Sequence, residues 1–462
     1  MRRHLKIPLM CTLFLSACTV GPDYHRPAVE TPVSYKELGN WRPAHPADMS
    51  HGDWWLVYDD PVLIALEKQV SVSNQNLKAS EAAYRQALAA VQLAQASFFP
   101  TVTLNASDAR SKSSLGTHTI LNASADASWA PDIWGRIRQT VTAQEATAQA
   151  SAADLAAATL SAQGTLAIDY FELRAADQLE RLLNDTVAAD EKSLKITKNQ
   201  YKAGVVSKAD VVQAQAQLDS ARSQAINVGV QRSQLEHALA VLVGRTPEDF
   251  NLEPGGDLPR VSVVPAGVPS TLLERRPDIA SAERKVAAAN ANIGVAMTAY
   301  YPDLTLTGSE GYTGPTLGKL LQASTNVWSV GPQLALTLFD AGARAAQVSE
   351  ARATYDQQAA LYRQTVLSGF QQVEDELAAL RILAQQEKVQ EQAVRSAREA
   401  TKIITNQYSA GVVAYTSVVT AQTQELSARQ AQLNISENNL VASVQLIEAL
   451  GGGWSSSALN KQ

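Results

Sequence analysis

Cys18 is the residue whose type and setting point most directly to a covalent reaction. It follows Leu15, Ser16 and Ala17, small residues leading to a thiol, and it closes a stretch in which Arg2, Arg3 and Lys6 precede an apolar run from Ile7 to Leu15. That run is too short to cross a bilayer, so residues 1–17 read as a secretory signal that is cleaved away. The thiol then stands first in the mature chain, placed for acylation. Cys11 leaves with the signal, so no disulfide is expected despite the oxidising compartment beyond the inner membrane. An ordinary signal that happens to contain Leu-Ser-Ala-Cys is the blander alternative.

No other residue set has the spacing of a reactive centre. His25, His45, His51, His118 and His237 are scattered, and none belongs to a His-Glu-x-x-His or Cys-containing metal site. Gly451 to Gly453 adjoins a polar tail and lacks the strand and helix that would make it a phosphate loop. The expectation is a protein without catalytic residues, metal ligands or any cofactor beyond a covalent lipid on Cys18. Removing Arg2, Arg3 and Lys6 takes the formal charge from −6 to −9, and no basic patch compensates, which argues against a nucleic-acid partner.

The elements that carry this chain come in duplicate. Residues 199–222 read NQYKAGVVSKADVVQAQAQLDSAR and residues 406–429 read NQYSAGVVAYTSVVTAQTQELSAR, identical at 15 of 24 positions with an offset of 207. A fainter echo at an offset of 202 sets Phe99, Pro100, Thr103, Leu104 and Ser107 against Tyr301, Pro302, Thr305, Leu306 and Ser309. Each half reads as a helix, two short strands, a very long helix, a sharp turn and a further helix. The resulting division is signal 1–17, anchored tail 18–60, first repeat 61–244, linker 245–270, second repeat 271–450 and C-terminal tail 451–462.

Apolar residues at three- and four-residue spacing predict helices over Asp60 to Ser97 and Arg276 to Ala299, the second with Pro277 in its first turn. The stretches from about Gly135 to Tyr201 and Gly342 to Tyr408 would each be about 100 Å long if continuous. Both end at Tyr-x-Ala-Gly, where Gly204 and Gly411 supply the left-handed residue that stops a helix and starts a hairpin tip. Their mild Ala, Ser, Thr and Gln faces suit helices packed side by side with one face wet, or equally a plain coiled-coil rod.

Four segments with period two separate those readings. Leu121, Ala123, Ala125, Ala127 and Trp129 alternate with Asn122, Ser124, Asp126 and Ser128; Val102, Leu104 and Ala106 alternate with Thr101, Thr103, Asn105 and Ser107. Leu304 and Leu306 oppose Thr305, Thr307 and Ser309, while Trp328, Val330, Leu334, Leu336 and Leu338 oppose Ser329, Gln333 and Thr337. Apolar toward lipid and polar toward water is the pattern of membrane strands, with Trp129 and Trp328 near a headgroup boundary. Two soluble hairpins with one buried face are the alternative. No stretch beyond the signal is long and apolar enough for a membrane helix. Four strands leave two open edges that lipid cannot satisfy, and a conducting barrel needs about twelve strands, so three chains are the economical count.

The start Cys18-Thr-Val-Gly-Pro-Asp-Tyr24, the pair Trp54-Trp55 before Asp59-Asp60-Pro61, Phe99-Pro100, Asp132-Ile-Trp-Gly-Arg136 and Leu273-Glu-Arg-Arg-Pro-Asp-Ile279 together resemble the TolC-like outer-membrane efflux proteins, in particular their lipoprotein branch. The likeness covers nearly the whole mature chain. It implies a mainly α fold with a membrane β-barrel portion: a homotrimer with a twelve-stranded barrel, a long α-helical barrel and a mixed equatorial girdle. In that lipoprotein pattern Thr19, which is not acidic, directs the product to the outer membrane. The resemblance also implies a periplasmic adaptor meeting the hairpin tips, here Gly204, Val205, Val206 and Ser207 with Gly411, Val412, Val413 and Ala414, and an inner-membrane proton-driven pump of the RND type.

Such proteins gate at the periplasmic end, and Asp210 and Tyr408 match positions whose polar links hold the helices closed. The family often has an arginine where this chain has Val413, and acidic residues where it has Ser417 and Thr420. Hydroxyls at Thr416, Ser417 and Thr420 therefore imply a neutral constriction with weaker cation affinity. Two other readings stay open on the sequence: the duct of an ABC-driven protein exporter, and a helical envelope scaffold that does not conduct.

Overall fold

The computed structural model describes residues 20–38, 53–114, 116–259 and 272–461. Cys18 and Thr19 lie outside the described residues, as does the end of the linker. The helices are α1 (Pro61–Ser73), α2 (Gln75–Ala96), α3 (Arg136–Lys202), α4 (Lys208–Leu242), α5 (Leu272–Arg275), α6 (Pro277–Thr298), α7 (Leu317–Leu320), α8 (Ala343–Ser409) and α9 (Tyr415–Ala449). The strands are β1 (Thr101–Ser113), β2 (Gly116–Trp129), β3 (Asp303–Gly314) and β4 (Asn326–Ala335). The repeat units match in length: α3 and α8 have 67 residues each, about 100 Å of helix, and α4 and α9 have 35 each.

The expected single helix over Asp60 to Ser97 is two helices. Asn74 breaks it with extended backbone (ψ 124°), and its side chain makes the break stable. The Asn74 carboxamide oxygen accepts from the Asn76 and Leu77 amides at 2.9 and 3.2 Å, capping α2, while its nitrogen donates to the Leu242 carbonyl at 2.9 Å. A cap and a long-range tie from one buried side chain outweigh the uninterrupted apolar spacing. The fourth strand also ends earlier than the alternation suggests, at Ala335, so Leu336 and Leu338 lie beyond it.

The chain divides into two compact units. The first comprises Met1–Val29, Ala82–Ala152 and Ser281–Gln364 and holds the sheet, a four-stranded antiparallel meander in the order β1-β2-β3-β4. Its strand-to-helix corners use the motif residues. Asp132 caps α3 by accepting from the Ile137 and Arg138 amides at 2.9 and 3.0 Å, and Trp134 stacks on Tyr301 at 4.8 Å while donating to the Pro302 carbonyl. The N-terminal segment docks on α6: Tyr24 hydrogen-bonds Glu283, and Asn290 donates to the Pro22 carbonyl at 2.9 Å.

The second unit comprises Glu30–Glu81, Ala153–Ala280 and Thr365–Gln462. Its core gathers aromatics around Tyr58, whose ring meets Phe171 at 4.9 Å and whose hydroxyl bonds Ser443 at 2.7 Å. The Arg-Arg-Pro-Asp motif is a clamp here. Buried Arg276 forms a two-pronged pair with Asp278 (3.0 and 2.7 Å) and donates to Gln372 on α8 and to the Ala449 carbonyl at the end of α9. Asp177, almost wholly buried, accepts from Arg174, Arg232 and the Gly255 amide, which ties the start of the linker to α3 and α4. Replacing Asn74 with Ala should cost about 1–3 kcal/mol of stability, more than Asn74→Asp, which keeps the cap acceptor. Chemical denaturation of both variants measures it; both lose the tie to Leu242, so equal losses would show that the cap contributes nothing.

Candidate functional site

Two features have the geometry of a working surface: the sheet in the first unit and the paired hairpin tips in the second. In the sheet, register decides which side chains share a face. Leu104 pairs with Ala125, Ala125 with Glu310, and Glu310 with Trp328; one step along, Val102, Ala127, Gly308 and Val330 align. Trp129, Leu306 and Pro332 form the next row of that same face. Every residue assigned to the apolar side by alternation within β1 to β4 therefore falls on one face. Glu310 interrupts its apolar rows, and Asn326 on the same face donates to it at 2.7 Å. The opposite face is a polar ladder, in which Asp126 accepts from Asn105 at 2.7 Å and Ser124 at 2.8 Å, and Thr313 donates to Asn122.

Strands of 13, 14, 12 and 10 residues are long enough to cross a bilayer, for which about 9–11 suffice. Pro332 lies in β4, an edge strand of this sheet, which accommodates its missing donor. Trp129 donates its indole N–H to the Phe98 carbonyl at 2.9 Å, at the helix end of β2. Trp328 is largely exposed and lies four register positions from Trp129 along β3. No helix among the described residues is long and apolar enough to cross a membrane.

At the tips, Gly204 and Gly411 adopt φ of +74° and +77°, and each hands a long helix to a 35-residue partner. Leu194, Ala214, Leu218, Tyr408, Tyr415 and Val418 form one buried cluster, with Val206 and Val413 packed against it. Both hairpins contribute, so they are welded within one chain. Tyr408 bonds the buried Thr197 hydroxyl at 2.8 Å across the weld, and Gln200 donates to the Tyr408 carbonyl at 3.2 Å. Asp210 is occupied locally: its carboxylate accepts from the Ser207 amide and hydroxyl, a capping box at the start of α4. Ala414, its counterpart cap, offers no side-chain bond. Val205 and Val412 stand outward at 62% and 71% exposure. Thr416 and Thr420 are exposed, Ser417 is half-buried, and the Thr420 hydroxyl bonds the Thr416 carbonyl.

Sequence reading did not single out Asp190, which lies behind the weld. It is fully buried, and neither carboxylate oxygen has a hydrogen-bond partner among the described residues. It borders a cavity of about 100 Å³ with Thr186, Thr401, Gln422, Glu425 and Arg429. The signal was present: Leu183, Val187, Asp190, Leu194 and Thr197 recur at helical spacing, so an acid occupies a core-facing position. Burial pushes the Asp190 carboxyl up to about 6. Burial also raises Glu437 and Glu448 to about 7, with Glu172 adding to the effect at Glu437, and raises Glu67 to about 9, with Glu448 adding to it.

The outer membrane efflux protein model matches residues 66–245 and 268–452. The chain belongs to the outer membrane efflux protein family. Among relatives, the probable efflux pump outer membrane protein TtgC of Pseudomonas putida is 28% identical over 461 residues, covering 97% of this chain and 95% of that protein. Of solved structures, the outer-membrane channel OprN superposes with a TM-score of 0.88 at 28% identity, covering 95% of this chain and all of that one. The open state of the MtrE outer membrane channel of Neisseria gonorrhoeae gives 0.84 at 29% identity, covering 95% and 99%. The TolC-like channel fold and the outer-membrane location of this family member follow. Among the described residues no cluster of His, Cys, Asp or Glu could hold a metal ion.

Asp190 gives a pH dependence of definite sign. The folded carboxyl keeps its proton to about pH 6 and the unfolded one only to 3.8. Its contribution is full below the unfolded value and is lost as pH rises through the folded one, on the order of 3 kcal/mol. Other buried acids add a slope of the same sign, so the test is a difference: Asp190→Asn should flatten the fall in melting temperature between about pH 4 and pH 7. Identical slopes for the two proteins would remove Asp190 from the account.

Proposed function

We propose that this protein is the exit duct of a tripartite efflux pump, a homotrimer that passively conducts small molecules from a periplasmic adaptor and an inner-membrane RND-type pump to the exterior. One observation carries the reading: a sheet with one apolar face, one polar face and two outer strands, β1 and β4, each paired on a single side. Hydrocarbon offers nothing to the other side of those strands, so the sheet must be closed by further strands. Three copies give twelve, with the polar ladder of Asp126, Asn105 and Asn122 toward a water-filled lumen.

The remaining assignments follow from position. Val205 and Val412, exposed at the tips beside Gly204 and Gly411, are the apolar contacts offered to an adaptor. The weld through Tyr408 and Thr197 moves as a unit, and gating displaces it against neighbouring copies. Acylation of Cys18 supplies the anchor. Val20 donates to the Trp134 carbonyl and accepts from Gln139, so the chain is pinned at the helix end of the sheet. Two residues of chain span at most about 7 Å, so an anchor on Cys18 would act close to that end of the sheet. Nothing in the arrangement calls for catalysis: conduction needs a duct, and energy enters at the inner membrane.

In planar bilayers the purified protein should form conducting trimers. Thr416, Ser417 and Thr420 leave the constriction uncharged, so millimolar divalent cations on the periplasmic side should block it far more weakly than in relatives with acidic rings. A protein that stays monomeric and soluble without detergent after the acyl group is removed would refute the duct. Strong divalent block would refute only the neutral constriction. Cys18→Ala should abolish incorporation of labelled palmitate, and retained label would overturn the anchor assignment.

A further inference from the structure

The outward face changes chemistry above its apolar rows. β2 pairs with β3 only from Leu121 to Trp129, so Gly116 to Ile120 pair with β1 alone and the hairpin projects about 16 Å past β3. Alternation carries Arg110 and Lys112 onto the same face as Val102, Leu104 and Ala106. Both are exposed, and neither has an ion pair among the described residues. Asp108 is the one carboxylate in the same column of β1. Glu310, lower on this face, is already engaged by Asn326.

The connection between β3 and β4 folds onto that face too. Gly314 pairs with Leu121 of the apolar side, and a Cβ at Gly314 would lie 3.4 Å from the Leu320 Cα and 3.5 Å from the Lys319 carbonyl. Leu320 is buried there, yet Leu317 and Leu321 stand 77% and 75% exposed on either side of exposed Lys319. Two bare leucines flanking a lysine suit neither water nor hydrocarbon alone. They suit the boundary, with leucines in the acyl layer and the ammonium among headgroups.

We propose that Arg110, Lys112 and Lys319 bind the phosphate groups of an anionic lipid in the leaflet at the hairpin end of the barrel, with Leu317 and Leu321 seated among its acyl chains. The inference rests on the duct reading for the membrane orientation of the sheet. Three cations face one competing carboxylate, and the guanidinium can grip a phosphate with two parallel N–H groups. The site adjoins the lipid-facing rows across Asp108, and half of it is apolar, so its occupant is lipid and not free phosphate. In the bilayer it would set the depth of the barrel and hold a shell of phosphorylated lipid around it.

The test reconstitutes the full protein into phosphatidylethanolamine bilayers containing a minor fraction of lipid A, a diphosphorylated glycolipid, and measures lipid retained per channel by native mass spectrometry alongside conductance. The wild type should enrich lipid A, and millimolar inorganic phosphate should not displace it. A variant carrying Arg110→Gln, Lys112→Gln and Lys319→Gln should lose the enrichment about tenfold or more while conducting normally. Leu317→Ser with Leu321→Ser should weaken retention with the three cations intact. Normal conductance with no enrichment, retention unchanged in the triple variant, or full displacement by inorganic phosphate would each overturn the site and leave the duct standing. A wild type that neither inserts nor conducts would bring down the duct reading and this site together.

Discussion

Backbone hydrogen bonding along the outer strands β1 and β4 constrains the rest of this molecule. Each pairs on one side only, and the rows of Val102, Leu104, Trp328 and Val330 place those strands where water cannot supply the missing partners. An unpaired peptide group costs several kcal/mol in hydrocarbon, and two strands present several such groups each. In the proposed duct further copies close the sheet, and with closure comes a lumen, because the polar ladder of the other face then looks inward. A pore arises here from the same term that forbids an open edge.

The helical part answers a different demand, which is to keep two 67-residue helices in order without a thick core. Three devices recur, and all use polar groups at points where the chain turns. Asn74 caps α2 while reaching Leu242, Asp132 caps α3 beside the strands, and Arg276 joins the start of α6 to α8 and to the end of α9. Each satisfies backbone groups that a helix end leaves open. Asp177, holding two arginines and the linker, does the same for a segment without regular structure.

The duplicated tips show how a repeat is put to unequal use. Tyr201 and Tyr408 occupy matched positions, yet the first is 45% exposed and the second 3%. Ser207 and Asp210 form a capping box, whereas their counterparts Ala414 and Ser417 do not. Thr197, which bonds Tyr408, matches Ile404, and Asp190 matches Ala397. The polar side of the weld thus comes from the first copy and its aromatic side from the second. Only one of the two hairpins carries the buried acid.

Period and punctuation in the sequence were enough to place the four strands, the two long helices, their stops at Gly204 and Gly411, and the division of the sheet into apolar and polar faces. These depend on local geometry: alternation at period two assigns faces before any partner is known, and a left-handed glycine ends a helix wherever it stands. The break at Asn74, the clamp at Arg276 and the burial of Asp190 needed tertiary structure, because each is settled by a residue far away in the chain. Asn74 is an unremarkable helix residue until Leu242 offers its carbonyl. Asp190 is a solvated charge until α9 covers it, and which of two identical tyrosines is buried depends on which neighbour faces it. Local steric rules act within a few residues and can be read along the chain, whereas desolvation and hydrogen-bond partnership belong to the packed surface.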